Sequence, residues 1–189
     1  MKKERLIAFT DAVLAIIMTI LVLELEKPSE PSLAAFWALR TNFFAYALSF
    51  FWLGALWTAL NSIWEKVGEI NTKVVWLNIF LLFLSSFIPY ATSLVSDHFD
   101  SRAMQGFYGI IVILMTCANW LLHKAIDEPN RQNAELLTMT KAYRRLLIPD
   151  IAIKIIGLAI ALTVYPPVMM YSVLIAAFFI IIAKNQHSI

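Results

Sequence analysis

An aspartate in the first apolar stretch of this chain is the residue whose chemistry most needs explaining. Asp11 leads directly into residues 12–23, a run without charge in which Thr19 supplies the one hydroxyl group. An ionised Asp near the centre of a bilayer costs roughly 2.5–3.5 kcal/mol on insertion scales. Such a residue needs a partner inside the protein, and it is by default a candidate functional residue.

The partners of Asp11 must come from other helices. No basic residue lies three or four positions away, and Arg5, six residues away, lies nearly on the other side of a helix. Later apolar segments contain side chains able to donate a hydrogen bond, namely Trp57, Asn61, Trp64 and Asn78. The sequence therefore predicts a polar network that fixes the first span against the second and third spans.

A second buried-charge candidate is the pair Asp150 and Lys154. Their spacing of four residues is the helical spacing for an ion pair. The pair falls near the cytoplasmic end of the predicted fifth span, where Lys154 can also extend its ammonium group to the interface. Two interpretations stay open, a local structural pair and a proton or ion relay.

The composition is that of an integral membrane protein. Hydrophobic residues make up 60% and charged residues 15% of the 189 residues, against about 45–50% and 25% in soluble domains. A net charge of +2 gives no argument for nucleic acid. Because Asp11 interrupts the first apolar segment and no small-residue cleavage pattern follows it, that segment is predicted to be a retained span rather than a signal peptide.

Catalytic and metal-binding patterns are absent from the sequence. His98, His123 and His187 fall on different predicted sides of the membrane, and the single cysteine, Cys117, excludes an intrachain disulfide. No nucleophile-elbow, Walker or zinc-protease motif occurs. We therefore expect a protein that is not an enzyme and that needs no cofactor.

The apolar runs predict a single domain of six transmembrane helices. A bilayer core of about 30 Å needs about 20 apolar residues per helix. The last apolar block is too long for one helix, and Pro166-Pro167 divides it because proline lacks the amide donor. The predicted spans are about 6–25, 41–64, 74–96, 103–123, 147–165 and 168–183, with a polar segment, 127–145, before the fifth span.

Basic residues predict the orientation of these spans. Of the fifteen Lys and Arg residues, three (Lys27, Arg40 and Arg102) fall on one predicted side, and Lys154 falls within a span. The other eleven share the side of both termini: Lys2, Lys3, Arg5, Lys66, Lys73, Lys124, Arg131, Lys141, Arg144, Arg145 and Lys184. The positive-inside rule then places both termini in the cytoplasm.

One stripe of the first helix has no assigned partner. At 100° per residue, Ile16, Ile20 and Leu23 fall within a stripe about 60° wide, and Asp11 points about 140° away from Ile16. If Asp11 anchors the helix to its own subunit, this stripe faces either lipid or a symmetry axis, and periodicity does not choose between them. The Thr19 hydroxyl can bond back to the carbonyl of Ala15.

The first helix resembles a known family. Its sequence Arg5-x-x-x-Phe9-Thr10-Asp11-Ala12, continuing through Ala15-Ile16-x-x-Thr19-x-Leu21-Val22-Leu23-Glu24, is similar to that of the prokaryotic relatives of the lysosomal potassium channel transmembrane protein 175. Trp76-Leu77-Asn78, with Pro89 and Thr92, is similar to that family's third span. The resemblance implies six spans per subunit, a homotetramer, and a pore lined by the first helices without a threonine-valine-glycine-tyrosine-glycine filter.

The resemblance also implies roles for residues of the first helix. Ile16 takes the position of the narrow apolar constriction, Thr19 that of a hydroxyl layer that contacts permeating potassium, and Ile20 and Leu23 continue the lining. Arg5, Phe9, Thr10 and Asp11 take a packing and hydrogen-bonding network behind the pore. Two departures are that Thr10 replaces the usual serine and that the histidines common late in the second span are absent.

The sequence thus predicts a potassium-preferring, passively conducting cation channel in the plasma membrane of a prokaryote, with monovalent cations as permeants and a hydrophobic gate on the first helix. An ion- or proton-coupled secondary transporter using Asp11 or the Asp150/Lys154 pair is the main alternative. A non-conducting membrane scaffold is a third. Steep voltage gating is not expected, because no span is rich in arginine.

Overall fold

The structure is a computed structural model that describes the backbone of residues 2–186 and the side chains of residues 2–180. His187 therefore lies outside the described residues, as does the side chain of Lys184. The described part is built from eight helices and contains no strand, which confirms the all-α prediction there. In order they are α1 (Lys3–Leu23), α2 (Leu33–Ala38), α3 (Arg40–Trp64), α4 (Thr72–Ser85), α5 (Ile88–Asp97), α6 (Arg102–Asp127), α7 (Ala134–Thr163) and α8 (Val168–Gln186).

Among the described residues, five stretches are long and apolar enough to cross a membrane. Three of them are α1, α3 and α6, a fourth is α7, and the fifth is the combined length of α4 and α5, Thr72–Asp97. A shorter apolar helix, Val168–Ile180, lies within α8. The termini of several helices are capped: Asn71 accepts a hydrogen bond from the amide of Val74, and Asn133 accepts one from the amide of Leu136.

The third apolar stretch is interrupted in its middle. α4 ends at Ser85 and α5 begins at Ile88, with Pro89 in its first turn. Proline is tolerated there because the first amides of a helix have no intrahelical partner. Ser85 and Ser86 donate their hydroxyl groups to the carbonyls of Leu81 and Phe83, so these serines bond within the last turn of the helix before the break.

α7 is longer than the predicted fifth span. The sequence predicted a polar segment, 127–145, before a span beginning near residue 147, but one helix of 30 residues covers most of that segment and the span, and it carries Pro149 inside it. α7 ends at Thr163, and α8 begins at Val168, after Pro166-Pro167. The adjacent prolines Pro166 and Pro167 thus lie between two helices, whereas the single Pro149 lies inside α7 and does not end it.

α6 forms the centre of the bundle. It packs most extensively against α7 and also against α4 and α5, while α1 packs against α3, α4 and α5. α7 and α8 approach closely where Gly157 faces Ser172. The absence of a side chain at Gly157 permits this approach, since a Cβ atom there would collide with the Ser172 side chain. This arrangement leaves α1 on the outside of the subunit, with one side packed and the other open.

Candidate functional site

α1 has one face packed inside the subunit and one face without a partner in it. The buried residues Leu6, Thr10, Leu14, Ile17 and Leu21 recur every three or four positions and form a single stripe. On the other face, the side chains of the predicted lining residues are exposed: Ile16 by 58%, Ile20 by 37% and Leu23 by 79%, and Thr19 is exposed as well.

Thr10 joins α1 to α4 through a buried hydrogen bond. Its hydroxyl group donates to the carbonyl of Leu6 at 2.8 Å and accepts from the side-chain amide of Asn78 at 2.8 Å. Thr10 is 1% exposed and Asn78 is fully buried. A buried polar pair of this kind fixes helix register, because sliding either helix leaves the buried Asn78 amide without its acceptor.

Asp11 joins α1 to α3. The indole N–H of Trp57 donates to Asp11 Oδ1 at 2.9 Å. The expected network is therefore partly observed, since Trp57 is one of the four donors predicted for Asp11, whereas Asn78 bonds Thr10 instead. Trp64 Nε1 is buried and has no hydrogen-bond partner among the described residues.

Arg5 and Phe9 are not brought together with Thr10 and Asp11 within one subunit. Both lie on the exposed side of α1, and Phe9 is 53% exposed. At 100° per residue, Phe9 projects about 20° from Ile16 and about 100° from Thr10. Arg5 and Phe9 therefore lie on the open face of α1, together with the predicted lining residues. The resemblance had placed them in the network on the packed face.

The Thr19 hydroxyl group has its hydrogen committed to the backbone. It donates to the carbonyl of Ile16 at 2.8 Å, not to the carbonyl of Ala15 as the sequence suggested. Donation of its one hydrogen leaves lone pairs on the oxygen that can accept a hydrogen bond or coordinate a cation.

The Asp150–Lys154 pair is buried away from α1. The ammonium group of Lys154 lies 2.6 Å from Asp150 Oδ2, and each side chain is 1% exposed. Lys154 also donates to Thr116 Oγ1 at 3.0 Å and lies 5.1 Å from the centre of the Trp52 ring. The expectation that Lys154 extends to the interface is wrong, because these partners on α6 and α3 hold it inside the bundle.

No metal centre is found in the part of the chain that the structure describes, where no three His, Cys, Asp or Glu side chains converge. At the end of the bundle that the basic residues predict to be cytoplasmic, Arg144 contacts Asp127 at 2.6 Å and Lys66 contacts Glu135 at 2.8 Å. The hydrogen bond and charge of Glu135 raise the pKa of Lys66 above its ordinary value. These contacts tie α7 to α6 and to the loop after α3.

Comparison with known proteins identifies what the chain is similar to. The family model of the endosomal/lysosomal potassium channel TMEM175 matches residues 5–89. A potassium channel of Chryseobacterium sp. (strain P1-3) is 51% identical over 49 residues. That match covers 26% of this chain and 26% of the relative, so it spans about a quarter of the relative's length.

A solved structure matches the whole fold. The crystal structure of a lysosomal potassium-selective channel TMEM175 homologue from Chamaesiphon minutus has a TM-score of 0.74, with 20% identity and coverage of 98% of each chain. The resemblance inferred from the first helix is confirmed by these three matches. The matched proteins are channels and not enzymes.

Proposed function

We propose that this chain forms a homotetrameric, potassium-preferring cation channel in the plasma membrane of a prokaryote, with four copies of α1 around the pore. The observation that carries the proposal is the division of α1 into two faces. One face is held to α3 and α4 by the Asp11–Trp57 and Thr10–Asn78 hydrogen bonds. The other exposes Ile16, Thr19 and Leu23, and similarity to potassium channels favours a pore over lipid for this face.

In this arrangement, Ile16 forms the narrowest part of the pore. Four isoleucine side chains at one level offer no ligand to a cation, and a narrow apolar ring closes by losing its water. Ile20 and Leu23, one and two turns further along α1, continue the apolar lining toward the outer side. The constriction therefore acts as a hydrophobic gate, without a charged group that opens or closes it.

Thr19 supplies the polar layer next to that constriction. Thr19 is exposed and donates its one hydroxyl hydrogen to the Ile16 carbonyl, so four such oxygens are left to replace part of the hydration shell of a permeating potassium ion. A single layer of hydroxyl oxygens provides fewer ligands than stacked rings of backbone carbonyls. We therefore expect a modest preference for potassium over sodium.

Arg5 and Phe9 act between subunits in this proposal. They lie on the open face of α1 near its cytoplasmic end. Their side chains are therefore free to contact a neighbouring copy of the chain. Thr10 and Asp11 act within the subunit and set the angle at which α1 meets the axis. The positive-inside distribution supports cytoplasmic positions for both termini.

Flux of potassium and sodium into liposomes that contain the purified protein tests the proposal. A channel gives passive flux down either gradient, larger for potassium, and requires no proton gradient. The buried Asp150–Lys154 pair is the observation that favours a coupled transporter, and a saturating flux that depends on a proton gradient would support that alternative. No flux from vesicles that contain the folded oligomer would support a scaffold.

A further inference from the structure

A cavity of about 200 Å³ lies inside the helix bundle. Its described lining comes from α3, α6, α7 and α8, and α1 contributes none of it. Four buried polar side chains reach it from two helices: Thr116 and Asn119 on α6, and Asp150 and Lys154 on α7. The half-buried side chains of Trp52 and Tyr143 also line it, and most of the remaining lining is apolar. A ligand in the cavity must therefore satisfy the four buried groups.

The donors of Lys154 are already in use. Its ammonium group bonds Asp150 Oδ2 and Thr116 Oγ1, and it lies over the ring of Trp52. Asp150 and Lys154 together carry no net charge. A cation placed in the cavity would therefore meet the ammonium of Lys154 in a medium of low dielectric constant, where repulsion between like charges is strong.

Two buried acceptors, in contrast, have no donor. Asp150 Oδ1 and Asn119 Oδ1 have no hydrogen-bond partner among the described residues, and these side chains are only 1% and 4% exposed. An ionised carboxylate can only accept hydrogen bonds. Leaving such an oxygen buried and unpaired carries the full penalty of its desolvation. An anion would add a third acceptor, so the missing group is a neutral donor.

An apolar pocket adjoins this cavity at the surface of the bundle. The pocket, of about 430 Å³, shares Trp52, Ala55 and Ala177 with the cavity and lies between α3 and α8. At its edge Phe51 and Phe178 are 73% and 56% exposed. The adjoining spaces thus place an apolar pocket beside a cavity lined by the two residues with unpaired acceptors.

We propose that the cavity and the apolar pocket together bind an uncharged amphiphile, whose hydroxyl head donates to Asp150 Oδ1 and whose alkyl body occupies the pocket between α3 and α8. The apolar pocket favours a carbon chain over a file of water molecules, since ordered water needs several polar partners. The hydroxyl supplies the donor that no described residue provides to Asp150 Oδ1. This site is separate from the proposed pore, and its occupancy does not depend on conduction.

Photolabelling of the purified full-length protein tests this site. The probe is an octanol that carries a diazirine on its third carbon, and mass spectrometry locates the labelled residues. We expect saturable labelling of residues that line the cavity, such as Trp52 and Tyr143. 1-Octanol should compete for it, whereas 1-methoxyoctane, which has no donor, should compete about tenfold less well or worse, because it loses a hydrogen bond to a charged group.

Two substitutions on α8 provide the matched comparison. Ala177→Phe fills the passage between the two spaces and should abolish the labelling, whereas Ile175→Phe, at an exposed position of the same helix, should leave it intact. Asn119→Leu is a second variant that occupies the cavity if Ala177→Phe does not fold. The proposal would be overturned by labelling that does not saturate or that 1-methoxyoctane and 1-octanol compete for equally well. It would also be overturned by labelling that persists in folded Ala177→Phe protein, or by a cavity filled by water only.

Discussion

Trp57 donates its indole N–H to the carboxylate of Asp11 at 2.9 Å, and this bond is the polar contact between α3 and α1. It satisfies the aspartate that the apolar sequence of α1 would otherwise leave without a partner. Because Asp11 lies on the side of α1 away from Ile16, the bond orients the helix so that its open face carries the proposed lining residues.

We expect Trp57→Phe and Asp11→Ala each to destabilise the protein by about 1–2 kcal/mol, since each removes one partner of a charge-assisted hydrogen bond. The double variant should cost less than the sum of the two, because both remove the same bond. Thermal unfolding of the purified protein and the yield of assembled oligomer measure this. Additive effects would show that Asp11 and Trp57 act independently.

The buried Thr10–Asn78 bond gives a second prediction. Thr10→Val leaves the Asn78 amide without its acceptor and should lower the free energy of unfolding by about 1–3 kcal/mol. Thr10→Ser keeps the hydroxyl group and should retain most of the stability. Denaturation of the two variants beside the wild type is the measurement, and equal losses for Val and Ser would argue that packing of the methyl group matters more than the bond.

Selectivity should depend on the oxygen of Thr19. Thr19→Val removes the hydroxyl at nearly constant volume and should lower the potassium-to-sodium permeability ratio, while Thr19→Ser should largely preserve it. Reversal potentials under bi-ionic conditions report the ratio directly. An unchanged ratio in Thr19→Val would remove this residue from the selectivity layer.

Proximity of the four α1 helices can be tested by cysteine crosslinking. In a Cys117→Ser background, Leu23→Cys should form disulfide-linked dimers on mild oxidation, because the four copies approach one another around the axis of the proposed tetramer. Ile156→Cys on α7, 59% exposed, is the control and should remain uncrosslinked. The reverse pattern would place α7 at the axis and α1 in lipid.

Some of this architecture follows from the sequence, and some depends on how helices cross. The all-helical fold and the need of Asp11 for a partner follow from hydropathy and from the cost of a charge in an apolar environment. The choice of Trp57 depends on the register between α1 and α3, which no local pattern encodes. Only the family resemblance placed Thr10 in a network, since helical threonines ordinarily bond to their own backbone and the residue type gives no signal.

Lys154 is a second residue whose contacts the sequence does not predict. Its spacing to Asp150 predicted the ion pair, but a flexible lysine near a helix end ordinarily extends to the interface. Thr116 and Trp52 hold it inside the bundle, and both come from distant parts of the chain. The continuity of α7 through Pro149 is likewise set by the surrounding packing, because the proline by itself favours a break.

The central claim, that α1 lines a pore narrowed by Ile16, is tested most directly by flux through liposomes that contain wild type, Ile16→Asn or Ile156→Asn protein. Ile16 and Ile156 are 58% and 59% exposed in the subunit, so the two substitutions are matched in chemistry and in exposure. We predict that Ile16→Asn raises the flux and lowers the preference for potassium, because a polar ring holds water where an apolar ring loses it. Ile156→Asn should leave both unchanged. Equal behaviour of all three proteins, with the oligomer intact, would contradict the account.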